Sequence, residues 1–240
     1  ARLGDDFDLV VSFNVIEHTA EPDAFVAAAV AHLAADGHLL LACPDGGTPW
    51  MELMLEDHRF SFTRAHLRTL VRTAGLVPGP HMRCPTERDR DNVQMLLAAA
   101  PGTAAASTAA DDGDGADPST LLALRTDYLG RWATLDRTLA EATPDSGSLF
   151  VFGTGGWAAL LAAHAPSTWA RASACVVDGG SDSMFHGKAI HDYGRLATLA
   201  PPDGRTAVVT AVNPVVQPVV AERLHADGYI PIVWSHRIPA

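Results

Sequence analysis

Apolar and polar positions change period several times along the chain. Phe7-Asp8-Leu9-Val10-Val11-Ser12-Phe13 is a short apolar run that opens into the polar stretch Asn14 to His18, which predicts a buried strand entering a loop. The spacing from about Pro22 to Ala35 predicts a helix, Asp36-Gly37 a turn, and Gly37 to Cys43 a second buried strand ending at Pro44-Asp45. A short helical stretch is expected near 48–55. Thr63 then stands where a helix N-cap belongs and Gly75 where a C-cap belongs. Between them Leu67, Leu70 and Val71 recur at helical spacing and are expected to face a sheet. Val93 to Ala99 reads as the last strand of this half. Strands alternating with helices predict βαβ units and a parallel sheet.

Residues 100–119 break the pattern. They are rich in Ala, Ser, Thr, Asp and Gly and carry no large apolar group, so burial cannot offset their ordering entropy. The expected organisation is a domain over 1–99, a flexible linker over 100–119, and a helix followed by a second α/β domain over 120–240. The helix, 120–143, places Leu121, Leu124, Tyr128, Leu129, Trp132, Leu135 and Leu139 on one broad stripe. After it come a strand at Leu149–Phe152, a glycine-rich turn at 153–158, a helix at Ala159–Ala165, and strands at Ala174–Val177, Ala207–Ala211 and Ile230–Trp234, with a helix over Val216–Ala226. Trp132, Trp157, Trp169 and Trp234 are expected to pack between the domains.

Composition narrows the function classes. Of 240 residues, 48% are hydrophobic and 19% charged, which suits globular α/β structure. The formal net charge is −11 with no basic cluster, and this excludes nucleic-acid binding by phosphate neutralisation. The three cysteines are widely spaced with no CxxC, so reduced thiols and a cytoplasmic chain are expected. No run of about eighteen apolar residues predicts a membrane span.

Candidate chemistry gathers at strand ends, where open α/β sheets bind their ligands. Glu17 and His18 follow the first strand; a histidine near its ordinary pKa can act as a general base, or the pair can close the loop by hydrogen bonding. Asp57-His58 is a second such pair, equally readable as an exposed polar loop. Asp45 ends the second strand as an acceptor contact or a turn former. In the second half, Gly153-Thr154-Gly155-Gly156-Trp157-Ala158 has the glycine spacing of a phosphate-cradling turn, and Asp178 ends the next strand where a ribose-binding acid would stand. The same glycines serve packing in many domains that bind no dinucleotide. His186 and His191 lack an acidic partner at ligand spacing, and no metal site is expected.

Phe7-Asp8-Leu9-Val10 with Val15-Ile16-Glu17-His18, followed by a helix and Gly37-His38-Leu39-Leu40-Leu41-Ala42-Cys43-Pro44-Asp45, resembles the second half of a class I S-adenosylmethionine-dependent methyltransferase domain. The resemblance implies a partial Rossmann-like methyltransferase sheet followed by a second small Rossmann-like α/β domain. It implies S-adenosylmethionine as cofactor, with Phe13, Asn14 and Val15 beside its methionine part. The glycine-rich cofactor loop of that family lies upstream of such a strand, so a preceding segment or a second copy of the chain is expected to complete the fold. Glu56-Asp57-His58 and Phe60-Ser61-Phe62-Thr63 resemble the segment that follows the fifth strand in many such enzymes; in natural-product sugar C-methyltransferases a similar segment borders the acceptor, and Phe150 to Trp234 resembles their C-terminal domain. This implies His18 and His58 as catalytic bases and Glu17, Asp45, Asp57, Gly153, Gly155 and Asp178 as contacts to a small-molecule acceptor. Quinone-pathway relatives that hold a divalent metal carry a further Glu where this chain has Asn14.

Three rival readings stay open. One is a nucleotide- or sugar-binding module with a vestigial methyltransferase half. Another is an NAD(P)-dependent oxidoreductase built on 149–234, against which Lys188 and Tyr193 stand in reverse order on an expected loop. The last is a structural subunit that completes its sheet with another chain.

Overall fold

The computed structural model describes residues 4–85, 92–101, 117–145, 147–180 and 183–234. The chain is an α/β protein that divides into two compact units after Arg125. Most of the expected linker, 102–116, lies outside the described residues.

The first unit begins with β1 (Phe7–Phe13), a 3-10 turn at Ile16–His18, α1 (Pro22–Val30) and β2 (Leu33–Pro44). After a second 3-10 turn at Met51–Met54 come α2 (Arg64–Thr73), β3 (Val77–Arg83) and β4 (Val93–Ala99). The sheet order is β1-β2-β4-β3. β1 and β2 run parallel, with Leu9 opposite His38 and Phe13 opposite Ala42, because the α1 crossover returns the chain in the same direction. β4 is antiparallel to both β2 and β3, which corrects the expectation of a parallel sheet throughout. The stretch joining β3 to β4 is too short for a helical crossover.

The core lies on one face of this sheet. Ile16, Val26, Leu39, Leu41, Leu67, Val71 and Leu96 are fully buried there. α2 follows its sequence closely: Leu67 and Val71 are buried and Leu70 is half-buried. The Thr63 side chain accepts from the His66 backbone N–H, while His66 Nδ1 accepts from the Thr63 N–H, a capping box with histidine in the third position. At the other end Gly75 has φ +85°, and the N–H groups of Gly75 and Leu76 reach the carbonyls of Arg72 and Val71. This is the Schellman closure that needs a residue free to adopt positive φ.

Three expectations in this unit need correction. β1 is an edge strand of the described sheet, and Phe7, Leu9, Val11 and Phe13, which share one face, are 38% to 54% exposed. α1 ends at Val30, and β2 begins at Leu33, four residues before the expected start at Gly37, because Leu33 pairs with Phe7 across a register irregularity. Pairing to a neighbouring strand overrides the helix propensity of the alanines here. The stretch near 48–55 forms a single 3-10 turn.

The second unit is entered along α3 (Pro118–Ala142), followed by β5 (Leu149–Phe152), α4 (Gly156–His164), α5 (Pro166–Arg171) and β6 (Ala174–Val177). Then come β7 (Ser183–Phe185), β8 (Lys188–Asp192), α6 (Leu196–Leu199), β9 (Ala207–Thr210), α7 (Gln217–Ala226) and β10 (Ile230–Ile232). The sheet order is β10-β9-β5-β6-β8-β7, parallel except for β7. Among its parallel strands the chain starts at the centre, steps twice to one side, and returns to step twice to the other. That is the doubly wound order, with its switch point between β5 and β9. The hairpin β7–β8 was expected as loop; its strands of three and five residues are too short to show a period-two signal.

On α3, Tyr128, Trp132, Leu135 and Leu139 are buried, whereas Leu124 and Leu129 are exposed. The buried four advance by steps of four, three and four along one line, and Leu129 sits about 100° off it. The tryptophans expected between domains pack inside this unit. Trp132 stacks on Trp157 with centroids 6.1 Å apart, and Trp234 meets both edge-on at 5.7 Å. Among the described residues no helix is long and apolar enough to cross a membrane.

Two glycines of the turn after β5 differ in their constraint. Gly153 has φ +118°, and a Cβ built on it would lie 2.4 Å from the carbonyl oxygen of Ala211. Gly155 has no atom within 4 Å of such a Cβ. Gly153→Ala is therefore expected to destabilise the second unit by about 2 kcal/mol or more, and Gly155→Ala to stay within about 0.5 kcal/mol of the parent. Denaturant titration read by the fluorescence of Trp132, Trp157, Trp169 and Trp234 checks the pair.

Candidate active site

The C-terminal ends of β1 and β2 turn the chain into two polar loops. Beyond Phe13 the backbone of Asn14 takes φ +50°, a left-handed conformation that Asn tolerates, while its N–H still donates to the Ala42 carbonyl. The 3-10 turn then carries Glu17 and His18. The second loop is pinned against the first: the Glu17 carbonyl accepts from the N–H groups of Arg59 (2.9 Å) and Phe60 (3.2 Å). This backbone joint brings His18 beside His58, their rings edge to face with centroids 4.7 Å apart.

Each imidazole has its own surroundings. His18 Nδ1 lies 3.0 Å from the carbonyl oxygen of Asp57, a contact that only a protonated Nδ1 can make, and 3.4 Å from the Asp57 carboxylate. His18 Nε2 therefore faces Glu17 Oε1, at 3.9 Å. The side chain of His58 is mostly buried; burial, then the neighbouring His18, lower its pKa against a smaller opposing pull from Asp57. It is held as the neutral, proton-accepting form at neutral pH.

Glu17 is 1% exposed, and neither carboxylate oxygen has a hydrogen-bond partner. Burial raises its pKa, with the polarity of its own backbone N–H and the nearby His18 pulling the other way and Asp57 adding to the rise. Sequence reasoning missed Glu52, which sits on the 3-10 turn at Met51–Met54 and is 3% exposed. It accepts from Ser61 Oγ at 2.8 Å and faces His58 Nδ1 at 4.0 Å. The signal was present: Glu52 is the lone charge within Trp50-Met51-Glu52-Leu53-Met54-Leu55.

Asp45 is engaged locally. Its carboxylate accepts from the Gly47 N–H and from Arg64 Nε, at 3.0 and 3.3 Å, as a turn-forming Asp does. His18, Glu56, Asp57 and Arg59 line an open cavity of about 640 Å³. Thus Glu17, His18, Asp57 and His58 come together, with Phe13, Asn14 and Val15 leading into them. Glu17, His18 and His58 each offer a ligand-type atom within 4.8 Å of the others. The sequence marked no metal site, yet these three side chains bring together the donor types a cation would use, alongside two imidazoles placed for proton exchange.

Gly153, Gly155 and Asp178 belong to the second unit. Gly153 is required by the close approach of Ala211. Asp178 is held by Arg223, whose Nη1 reaches both carboxylate oxygens at 2.7 and 2.9 Å. Arg223 in turn lies over the Tyr193 ring. Lys188 donates to the Ala170 carbonyl and Tyr193 to Asp227, so these two do not form a catalytic dyad.

Residues 1–78 match the family model described as a methyltransferase domain. None of the curated proteins is matched by the chain. Among solved structures, the chain is similar to a 1,6-didemethyltoxoflavin-N1-methyltransferase from Burkholderia thailandensis, with 18% identity over 42% of this chain and 46% of that one and a TM-score of 0.34. It is similar to an S-adenosylmethionine-dependent methyltransferase from Mesorhizobium loti, with 13% identity over 40% and 63% of the two chains and a TM-score of 0.34. It is also similar to the magnesium protoporphyrin IX methyltransferase of Synechocystis, with 20% identity over 41% and 47% and a TM-score of 0.28. In each case the chain spans less than two thirds of the solved protein's length.

The buried Glu17 carboxyl has a consequence for stability. Its folded pKa lies above the ordinary value of 4.5, so between the two the folded chain holds a proton that the unfolded chain releases. Stability from this group is greatest below the unfolded pKa and declines as pH rises through the folded one. Glu17→Gln, which cannot ionise, is expected to gain on the parent as pH increases from 5 to 8. Urea midpoints of both proteins across that range give the comparison.

Proposed function

We propose that the protein takes part in S-adenosylmethionine-dependent methyl transfer to a small-molecule acceptor of the natural-product or nucleotide-sugar type. The observation that carries this reading is the joint between the Asn14–His18 loop and the Asp57-His58 loop, at a strand's C-terminal end within the segment that matches a methyltransferase domain. Backbone groups of Phe13, Asn14 and Val15 border the methionine part of the cofactor. Glu17, Asp57 and Asp45 stand on the acceptor's side.

Bound S-adenosylmethionine would supply an electrophilic methyl group for the acceptor atom, with S-adenosylhomocysteine as the product. Most of the catalysis is alignment of donor and acceptor. The acceptor's proton must go to a base, and His58 is the group suited to take it, being buried and neutral beside His18. His18, already donating through Nδ1, presents Nε2 as the alternative base. The adenosine half of the cofactor is assigned to a further segment or a second copy of the chain that extends the sheet past β1, the edge strand of the described sheet, and covers the exposed apolar face of that strand. Cys43 and Cys175 are buried thiols, which supports a reducing, cytoplasmic setting.

A second reading, a nucleotide- or sugar-binding module, is favoured by one observation. The turn at 153–158 lies at the switch point of a doubly wound sheet, where such ligands bind, and Gly155 borders open space.

Calorimetric titration with S-adenosylhomocysteine, joined to amide chemical-shift mapping, tests both. One-to-one binding with shifts at Asn14, Val15 and His18 supports methyl transfer. A folded sample that binds none, with the full-length protein and at concentrations where copies associate, overturns it. Shifts confined to Gly155–Ala158 on adding UDP-glucose would favour the second reading.

A further inference from the structure

Glu52 and its neighbours are left unused by the chemistry above. This acid is buried, yet only one of its oxygens is engaged, Oε1 accepting from Ser61 Oγ at 2.8 Å. Ser61 Oγ itself accepts from Arg125 Nη2 at 2.8 Å, and the same Nη2 donates to the Gly46 carbonyl at 2.9 Å. The guanidinium is therefore fixed at two points, the hydroxyl between guanidinium and carboxylate, and the carboxylate by the hydroxyl. The free oxygen, Oε2, faces His58 Nδ1 at 4.0 Å. That nitrogen is buried and has no hydrogen-bond partner among the described residues. Its other neighbours are taken: the Asp57 carbonyl accepts from His18 Nδ1, and the His18 ring meets His58 edge to face.

We propose that Glu52, held by Ser61 and Arg125, is a positioning residue that accepts the Nδ1–H of His58 and so leaves Nε2 of that ring as the base. The inference rests on the reading of His58 as the base. A separation of 4.0 Å is not a hydrogen bond. Catalytic contacts are commonly long before substrate binds and tighten in the loaded site; the Met51–Met54 turn and the His58 loop are joined by the Ser61–Glu52 bond and by the backbone bond from His58 N–H to the Leu55 carbonyl. The logic is that of any oriented imidazole: an acid on one nitrogen sets the tautomer, and the other nitrogen is freed to accept a proton. The two histidines are thus oriented by different partners, His18 by a backbone carbonyl and His58 by a buried acid.

The test is nitrogen NMR on the full chain labelled with 15N at the histidine imidazoles, with His58 assigned by the signals lost in His58→Gln. In the parent at pH 7.5, His58 is expected as the Nδ1–H tautomer. Glu52→Met is expected to move the tautomer ratio at least about fivefold toward Nε2–H, the loss of one hydrogen bond to a charged acceptor. A parent His58 found as Nε2–H overturns the proposal whether or not the variant folds. An unchanged ratio in a folded Glu52→Met protein overturns it as well. S-adenosylhomocysteine binding, read in the same samples, reports on the methyltransferase reading separately. A chain that keeps the Nδ1–H tautomer but binds no S-adenosylhomocysteine retains the Glu52–His58 contact and loses the base role.

Discussion

The site depends on one carbonyl. By accepting from both Arg59 and Phe60, the Glu17 oxygen ties the loop after β1 to the loop that follows the Met51–Met54 turn. Without it the contact of His18 Nδ1 with the Asp57 carbonyl would be left to join the two loops. A second brace keeps the far end in place: the buried Gln94 side chain donates to the carbonyls of Pro44 and Phe62, at 3.2 and 2.6 Å, so β4 holds the start and end of the 45–62 excursion together. Backbone acceptors at strand ends would be costly to leave unpaired. The same bonds that satisfy them therefore fix the positions of the two imidazoles.

This arrangement places two carboxylates in the low-dielectric interior under different terms. Glu52 is given a hydroxyl and, through it, a guanidinium, and both lower the pKa that burial raises. Glu17 has only its own backbone and the partial help of His18 against the same burial. A paired buried acid is structurally quiet, while an unpaired one is a reserve of unfavourable free energy that persists only where surrounding contacts over-determine it. The Glu17 carbonyl, locked by two N–H donors, supplies that over-determination: the backbone cannot move to expose the carboxylate without releasing the second loop.

The sequence was most legible where the decisive signal is local. Thr63 to Gly75 reads correctly as a capped helix because the cap residues and the apolar spacing all lie within thirteen positions. His18 and Asp57-His58 were visible for a similar reason, as polar pairs just beyond apolar runs. What was illegible depended on partners far along the chain. The ends of β2 depend on its pairing with β1, the antiparallel set of β3 on β4, and the β7–β8 hairpin shows too little apolar alternation to announce itself. Glu52 read as part of a helix in the sequence; the partners that satisfy it, Ser61 directly and Arg125 through it, lie nine and seventy-three positions along the chain.

Asp178 shows the same limit in the opposite direction. Its spacing from the glycine turn matched a ribose-binding pattern, yet its carboxylate is claimed by Arg223, which stands over Tyr193, whose hydroxyl binds Asp227. Together these groups tie the end of β6 to α7 and to the residue that caps it. Gly153 has a structural occupation too, since Ala211 approaches from β9 to a distance that excludes any side chain. Two of the residues that made the turn look like a nucleotide site are thus explained by packing between β5, β6, β9 and α7. Gly155 alone is unconstrained by the fold, and any ligand at this switch point must be held through the backbone around it and the first turn of α4, with Asp178 recruited only if the Arg223 pair opens.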